Sequence, residues 1–134
     1  MTAKKRVLIA DDEPAVLRFV DIALNRAGYD VTTTTSGGEA LELARTIEPD
    51  IVLLDVLMVP MSGFDVLDRL RAYSQVPVIM FTARNFIADQ ALKFGANGFI
   101  AKPFRPEQLL AKIDEVLRSN KGGGRREEGQ TNQK

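Results

Sequence analysis

The run Ile51-Val-Leu-Leu54, which ends in the carboxylate Asp55, constrains the fold of this 134-residue chain more than any other stretch. Four consecutive apolar residues of this kind are typical of a strand that is buried on both faces, as in a parallel sheet. Pro60 and Gly63 follow soon afterwards and interrupt regular structure. A charged side chain therefore lies where a buried strand emerges, and ligands bind at that carboxyl edge in open α/β sheets.

Strand-like and helix-like segments alternate along the rest of the chain. The predicted strands are Arg6–Ala10, Tyr29–Thr35, Ile51–Leu54, Val78–Phe81 and Gly98–Ala101. Five helices are predicted: Pro14 to about Ala27, the Ser36–Glu39 capping stretch to about Ile47, Gly63–Ala72, Phe86–Phe94, and Pro106 to about Ser119. The first helix is expected to bury Val16, Val20, Ala23 and Ala27. This alternation predicts an α/β domain with a parallel sheet and right-handed crossovers.

The composition excludes several classes of function. The chain has no cysteine and no histidine, which excludes disulfides, thiol catalysis, Ser-His catalysis, most zinc sites and a phosphohistidine of its own. Its formal net charge is zero, which argues against direct nucleic-acid contact by this domain. No apolar stretch approaches the roughly 18 residues of a membrane span, and Val7–Ala10 is too short for a signal peptide. We therefore expect a cytoplasmic protein without a membrane contact.

The last residues differ in character from the rest. Residues 1–119 are interpreted as one domain, which is large enough for a proper core. Residues 121–134 contain no apolar side chain and can bury nothing. Residues 120–134 are therefore predicted to be a flexible, Gly-rich polar tail or a truncated linker.

Polar side chains follow four of the predicted strands. Asp11 and Asp12 follow the first strand, Asp55 the third, Thr82 the fourth and Lys102 the fifth. In a parallel sheet these ends share one edge, so three carboxylates, one hydroxyl and one ammonium group converge there. Crowded carboxylates raise one another's pKa, and a bound Mg²⁺ with its preference for oxygen ligands relieves the repulsion. Taken singly, each residue has an ordinary interpretation as a turn former, a helix cap, a strand residue or a solvated lysine.

The same residues carry a family resemblance over about residues 5–118. Asp11-Asp12, Leu53-Leu-Asp55, Thr82-Ala83 and Gly98-Phe-Ile-Ala-Lys102-Pro-Phe104 resemble, in order and nearly in spacing, the motifs of response regulator receiver domains in two-component signalling. The resemblance implies a flavodoxin-like doubly wound sheet with strand order 2-1-3-4-5 and five helices.

The resemblance also implies a role for each site residue. Asp55 would accept a phosphoryl group from the phosphohistidine of a sensor kinase or a phosphotransfer protein. Asp12, the Asp55 side chain and the Leu57 backbone carbonyl would bind Mg²⁺, with Asp11 acting through water. Lys102 would contact the carboxylate and later a phosphoryl oxygen, and its bond to Pro103 is often cis in this family. Thr82 and the Ala83 backbone N–H would hydrogen-bond the phosphoryl group.

A conformational switch is implied as well. Phosphorylation would draw Thr82 inward and let Phe99 rotate, which would change the surface of the fourth helix, the fifth strand and the fifth helix. Taken alone, Phe99 also has an ordinary interpretation as a core strand residue. The resemblance leaves the output to a downstream protein or to a fused output domain, and leaves homodimer formation on phosphorylation open.

The chain departs from the family pattern at three places. Val59 stands where the family usually has proline, and Pro60 comes one residue later, so the loop is expected to take a different path. The interval from Thr82 to Lys102 is two residues shorter than expected. Leu57 and Arg84 occupy positions that tune hydrolysis of the acyl phosphate in this family. An apolar Leu57 cannot orient a water molecule, so slow autodephosphorylation is predicted.

The leading hypothesis is a signalling phosphoacceptor that is not itself an enzyme, and two other classes of function are alternatives to it. A phosphatase of the haloacid dehalogenase type also uses a strand-end aspartate and Mg²⁺, but it would require a carboxylate at position 57 and a cap over its substrate. A phosphorylation-independent interaction module would not need the complete acidic set with Lys102.

Overall fold

A computed structural model describes residues 3–82 and 95–123 of the protein. The described strands are β1 (Arg6–Ala10), β2 (Asp30–Thr34), β3 (Ile51–Asp55), β4 (Val78–Thr82) and β5 (Gly98–Ala101). The described helices are α1 (Pro14–Arg26), α2 (Gly37–Thr46), α3 (Gly63–Arg71) and the C-terminal helix (Pro106–Gly123). The helix predicted at 86–94 lies outside the described residues.

The five strands form one parallel sheet in the order β2-β1-β3-β4-β5. This is the predicted order, and it places β3 at the centre with β1 and β4 on either side. Every residue of β3 and β4 is buried, as continuous apolar runs require in a sheet that is covered on both faces. The prediction of a doubly wound α/β fold is confirmed.

Two apolar clusters hold helices to the two faces of the sheet. Alternate strand residues such as Leu8, Leu54 and Met80 pack with α2 and α3 on one face. The intervening residues, such as Ile9 and Phe81, pack with α1 and the C-terminal helix on the other. Successive side chains of a strand point to opposite faces, so one run of sequence supplies both clusters.

The buried face of α1 differs from the predicted one. Leu17, Val20 and Leu24 are buried, whereas Ala27 is exposed at the helix end. The two leucines bury more apolar area than alanines would at neighbouring positions, and that difference determines how the helix is rotated against the sheet.

The C-terminal helix continues four residues past the predicted end at Ser119. Among the residues of this helix whose side chains the structure describes, Leu109, Ile113 and Val116 are buried. Each residue added to an existing helix contributes one hydrogen bond for one residue fixed, so a helix can extend beyond its last buried position. Residues 124–134 of the predicted tail lie outside the described residues. Within the described ranges, none of the helices combines the length and apolar character needed to cross a bilayer.

Candidate metal and phosphoacceptor site

The carboxyl ends of the strands bring the predicted site residues together. Asp55 and Thr82 are the last residues of β3 and β4, and Lys102 directly follows β5. Asp11 directly follows β1, and its backbone N–H donates to the Thr34 carbonyl at 3.1 Å. Parallel pairing in register puts all these ends at one level on the same edge.

Three carboxylates form the centre of the site. One oxygen from each of Asp11, Asp12 and Asp55 lies within 4.8 Å of the others. Asp11 and Asp55 are buried, and Asp12 is partly exposed. A set of oxygen donors this close, with only part of it reached by solvent, fits a hard divalent cation such as Mg²⁺.

Lys102 supplies the positive charge of the site. Its Nζ lies 2.7 Å from Asp11 Oδ2, 3.3 Å from Glu13 Oε1 and 3.4 Å from Asp55 Oδ1. The ammonium group also lies 5.4 Å from the centre of the Phe81 ring, so the side chain passes over β4 to reach the acids. The peptide bond from Lys102 to Pro103 is cis.

Burial and charge shift the pKa values of both central groups. Burial, together with the negative charge of Asp11, raises the pKa of Asp55 from 3.8 to about 6, although Lys102 acts in the opposite direction. Burial alone would lower the pKa of Lys102. The hydrogen bond that Lys102 donates to Asp11 and the negative charge of Asp55 outweigh that effect and raise the pKa of Lys102. Lys102 therefore stays protonated while Asp55 titrates near neutral pH.

The start of α3 packs directly against the end of β3 at Asp55. A Cβ atom on Gly63 would lie 2.2 Å from the Asp55 carbonyl oxygen, which no side chain tolerates. The Gly63 N–H also donates to the Val56 carbonyl at 2.9 Å. Glycine at position 63 therefore sets how closely the loop and helix cover Asp55.

Thr82 and Phe99 lie on neighbouring strands. Thr82 is buried, and its backbone carbonyl accepts from the Lys102 N–H at 2.8 Å. Phe99 pairs in register with Met80 and is partly buried against the cluster under α2 and α3. This position agrees with the core interpretation of Phe99, and its rotation on phosphorylation stays a prediction.

The other predicted positions are more exposed or fall outside the described residues. Leu57 and Val59 are 58% and 77% exposed in the loop after β3, where the Val59–Pro60 bond is cis. Ala83 and Arg84 lie outside the described residues, as does most of the interval that is shorter than expected.

Sequence reasoning missed Glu13. It is not among the predicted site residues, yet its carboxylate lies 3.3 Å from Lys102 Nζ. The available signal was its position directly after the Asp11-Asp12 pair, which makes it the third consecutive acid after β1.

Comparisons with known proteins give one consistent family. The model of the response regulator receiver domain matches residues 7–114. The probable transcriptional regulator ycf27 of Cyanophora paradoxa is 39% identical over 117 residues, which are 86% of this chain and 49% of that protein. The DNA-binding response regulator MtrA of Mycolicibacterium smegmatis is 38% identical over 89% of this chain and 53% of its own length. The chain thus spans about half the length of the curated relatives it matches.

Solved structures agree with the sequence comparisons. Chemotaxis protein CheY4 of Vibrio cholerae superposes with a TM-score of 0.81 at 34% identity, covering 85% of this chain and 99% of that one. The BeF3-activated receiver domain of Klebsiella pneumoniae RstA gives a TM-score of 0.80 at 28% identity, with the same coverage.

Proposed function

The chain belongs to the response regulator receiver domain family, and from that premise we propose that Asp55 accepts a phosphoryl group in a Mg²⁺-dependent reaction. The observation that carries the proposal is the setting of Asp55: it is buried at the end of β3, within 4.8 Å of two other carboxylates and 3.4 Å from Lys102. This arrangement combines a nucleophile, a cation-binding set and a fixed positive charge.

The Mg²⁺ ligands in this proposal are Asp12, the Asp55 side chain and the Leu57 backbone carbonyl, with Asp11 acting through water. When bound, the cation offsets charge on the acidic cluster and on the transferred group. Asp11 Oδ1 accepts from the Glu13 N–H at 2.9 Å and Oδ2 accepts from Lys102 at 2.7 Å. These two hydrogen bonds fix the orientation of the Asp11 carboxylate, so the cluster is ordered by the chain's own groups.

The chain's own residues account for the transfer itself. An Asp55 oxygen attacks phosphorus in line while the bond to the donor breaks, and the donor leaves with the electron pair. Lys102 neutralises a phosphoryl oxygen, and the Thr82 hydroxyl and the Ala83 N–H donate hydrogen bonds to the others. The product is an acyl phosphate on Asp55.

The proposed phosphoryl donor is a sensor histidine kinase or a phosphotransfer protein in the cytoplasm. The switch then runs through Thr82 and Phe99 to the surface around β5 and the C-terminal helix. The relatives named above are a DNA-binding response regulator and a probable transcriptional regulator, which supports an output through a separate domain or protein rather than through this domain.

Intact-mass spectrometry after incubation with acetyl phosphate and MgCl2 tests the proposal. We expect one added phosphoryl group that is stable in acid and lost in base, and no addition with Asp55→Asn or with EDTA. Steady release of phosphate from p-nitrophenyl phosphate would instead support the alternative function, a phosphatase of the haloacid dehalogenase type. Failure of the wild type to be labelled by acetyl phosphate or phosphoramidate would contradict the proposal.

A further inference from the structure

Glu13 occupies the N-cap position of α1 but does not cap the helix with its side chain. Short side chains such as Ser, Thr, Asp and Asn serve at this position because their oxygen reaches the free N–H groups of the first turn. The Glu13 carboxylate reaches Lys102 instead, at 3.3 Å from Nζ. Helix formation therefore does not account for the orientation of this side chain.

The Lys102 ammonium group divides its contacts among three acids. It has three N–H donors, and charge-assisted hydrogen bonds of this type have typical lengths of about 2.7–2.9 Å. The contact with Asp11 is 2.7 Å, whereas those with Glu13 and Asp55 are 3.3 and 3.4 Å. The ammonium is thus held on the Asp11 side and does not reach a short hydrogen bond with Asp55.

The contact with Glu13 is the one that Lys102 can give up most easily. The Asp11 side chain is fully buried, so losing its lysine would leave a desolvated charge. The Glu13 side chain is 64% exposed, so water can replace the ammonium there. Moving Lys102 towards a new group on Asp55 therefore costs least if the contact with Glu13 is broken.

We propose that Glu13 is a positioning residue that restrains the Lys102 ammonium before phosphorylation and releases it when the phosphoryl group arrives. This inference rests on the proposed function of Asp55. An Asp55 oxygen forms a bond to phosphorus while the bond from phosphorus to the donor atom breaks. The electron pair leaves with acetate when acetyl phosphate is the donor, and with ammonia, whose nitrogen takes up a proton, when phosphoramidate is the donor. Lys102 then exchanges the Glu13 carboxylate for a phosphoryl oxygen.

The test compares phosphorylation rate constants of wild type, Glu13→Gln, Glu13→Ala and Asp55→Asn with Mg²⁺ and either acetyl phosphate or phosphoramidate. An exposed ion pair contributes little, so removing the Glu13 charge is expected to raise the rate constant about two- to fivefold. The factor should be the same for both donors, because the contact is made to Lys102 and not to the donor. Glu42→Gln removes the same charge from the exposed side of α2, on the other face of the sheet, and should leave the rate unchanged.

A spectroscopic measurement separates this contact from a structural effect. In ¹⁵N-lysine NMR spectra of the unphosphorylated protein, the Lys102 ammonium signal, identified by its loss in Lys102→Arg, should shift in Glu13→Gln and stay in place in Glu42→Gln. The inference would be overturned if the Glu13 variants were phosphorylated no faster than wild type, or if Glu42→Gln gave the same increase in rate constant. It would also be overturned by an increase seen with acetyl phosphate alone, or by a Lys102 signal that does not shift in Glu13→Gln. If the wild type accepts no phosphoryl group, or if Asp55→Asn accepts one, the proposed function itself is overturned and the inference with it.

Discussion

Magnesium affinity is expected to fall about tenfold when the pH is lowered from 7 to 5. The cause is Asp55, whose pKa burial and the charge of Asp11 raise to about 6. In the proposed site Mg²⁺ would bind the ionised carboxylate, and the ionised fraction of a group with this pKa falls from about nine-tenths at pH 7 to about one-tenth at pH 5. A carboxyl group at its ordinary pKa of 3.8 would stay almost fully ionised over that interval, and the affinity would hardly change.

Isothermal titration calorimetry with MgCl2 at constant ionic strength measures this effect. The chain contains no tryptophan, so calorimetry is a better choice than intrinsic tryptophan fluorescence. Titrations in buffers of different ionisation enthalpy also count the released protons. We expect about 0.9 proton per bound ion at pH 5 and about 0.1 at pH 7. The pKa of Lys102 is raised, so this residue keeps its proton throughout and does not contribute.

Asp55→Asn is the matched control, because it removes the titrating group and leaves the rest of the cluster in place. Its weaker Mg²⁺ binding should change much less between pH 5 and 7. Equal affinity of the wild type at both pH values would refute the reasoning, since no titrating group would then be coupled to Mg²⁺ binding. An identical pH dependence in the variant would also refute it, since the titrating group would then not be Asp55.

Three further predictions follow from the same geometry. Without metal at pH 7, Asp55→Asn should raise the free energy of unfolding by about 1–2 kcal/mol in urea denaturation. Because the pKa of Asp55 is about 6 in the folded state and 3.8 when unperturbed, Asp55 contributes stability below pH 3.8 that is lost as the pH rises through about 6. The stability gained by Asp55→Asn should therefore vanish near pH 4, and a gain that persists at pH 4 would contradict this. Gly63→Ala should lower the free energy of unfolding by about 3 kcal/mol, since its Cβ meets the Asp55 carbonyl at 2.2 Å, whereas Gly38→Ala, with its nearest atom at 3.8 Å, should be neutral or stabilising. Loss of the phosphoryl group from Asp55 should be slow, because the exposed, apolar Leu57 offers no group to orient water; a half-life of seconds with Mg²⁺ would count against this.

The sequence was sufficient to predict the sheet, because the apolar runs and the polar residues that end them are local features. The run Ile51–Leu54 and its neighbours identify buried parallel strands, and parallel strands necessarily bring Asp11, Asp55, Thr82 and Lys102 to one edge. The meeting of these residues is therefore a consequence of topology and needs no knowledge of side-chain packing.

The rotation of α1 could not be predicted in the same way. Its apolar residues are frequent enough to support more than one stripe, and the choice of Leu17, Val20 and Leu24 depends on which side chains fit against the sheet. The periodicity of apolar residues indicates that α1 has an apolar face, whereas the packing of its side chains against the sheet determines which residues form that face.

The path of Lys102 is the part of the site that only the structure reveals. Lys102 follows β5 and Asp11 follows β1, and both β4 and β3 lie between these strands in the sheet. Adjacent strands are about 4.8 Å apart, so a short side chain after β5 could not approach Asp11. The long lysine crosses over the Phe81 ring and brings its ammonium to 2.7 Å from Asp11 and 3.3 Å from Glu13. Because the Lys102 side chain extends from β5 across β4 and β3, its ammonium group passes Asp55, and its contacts with these three acids set its distance of 3.4 Å from the Asp55 carboxylate.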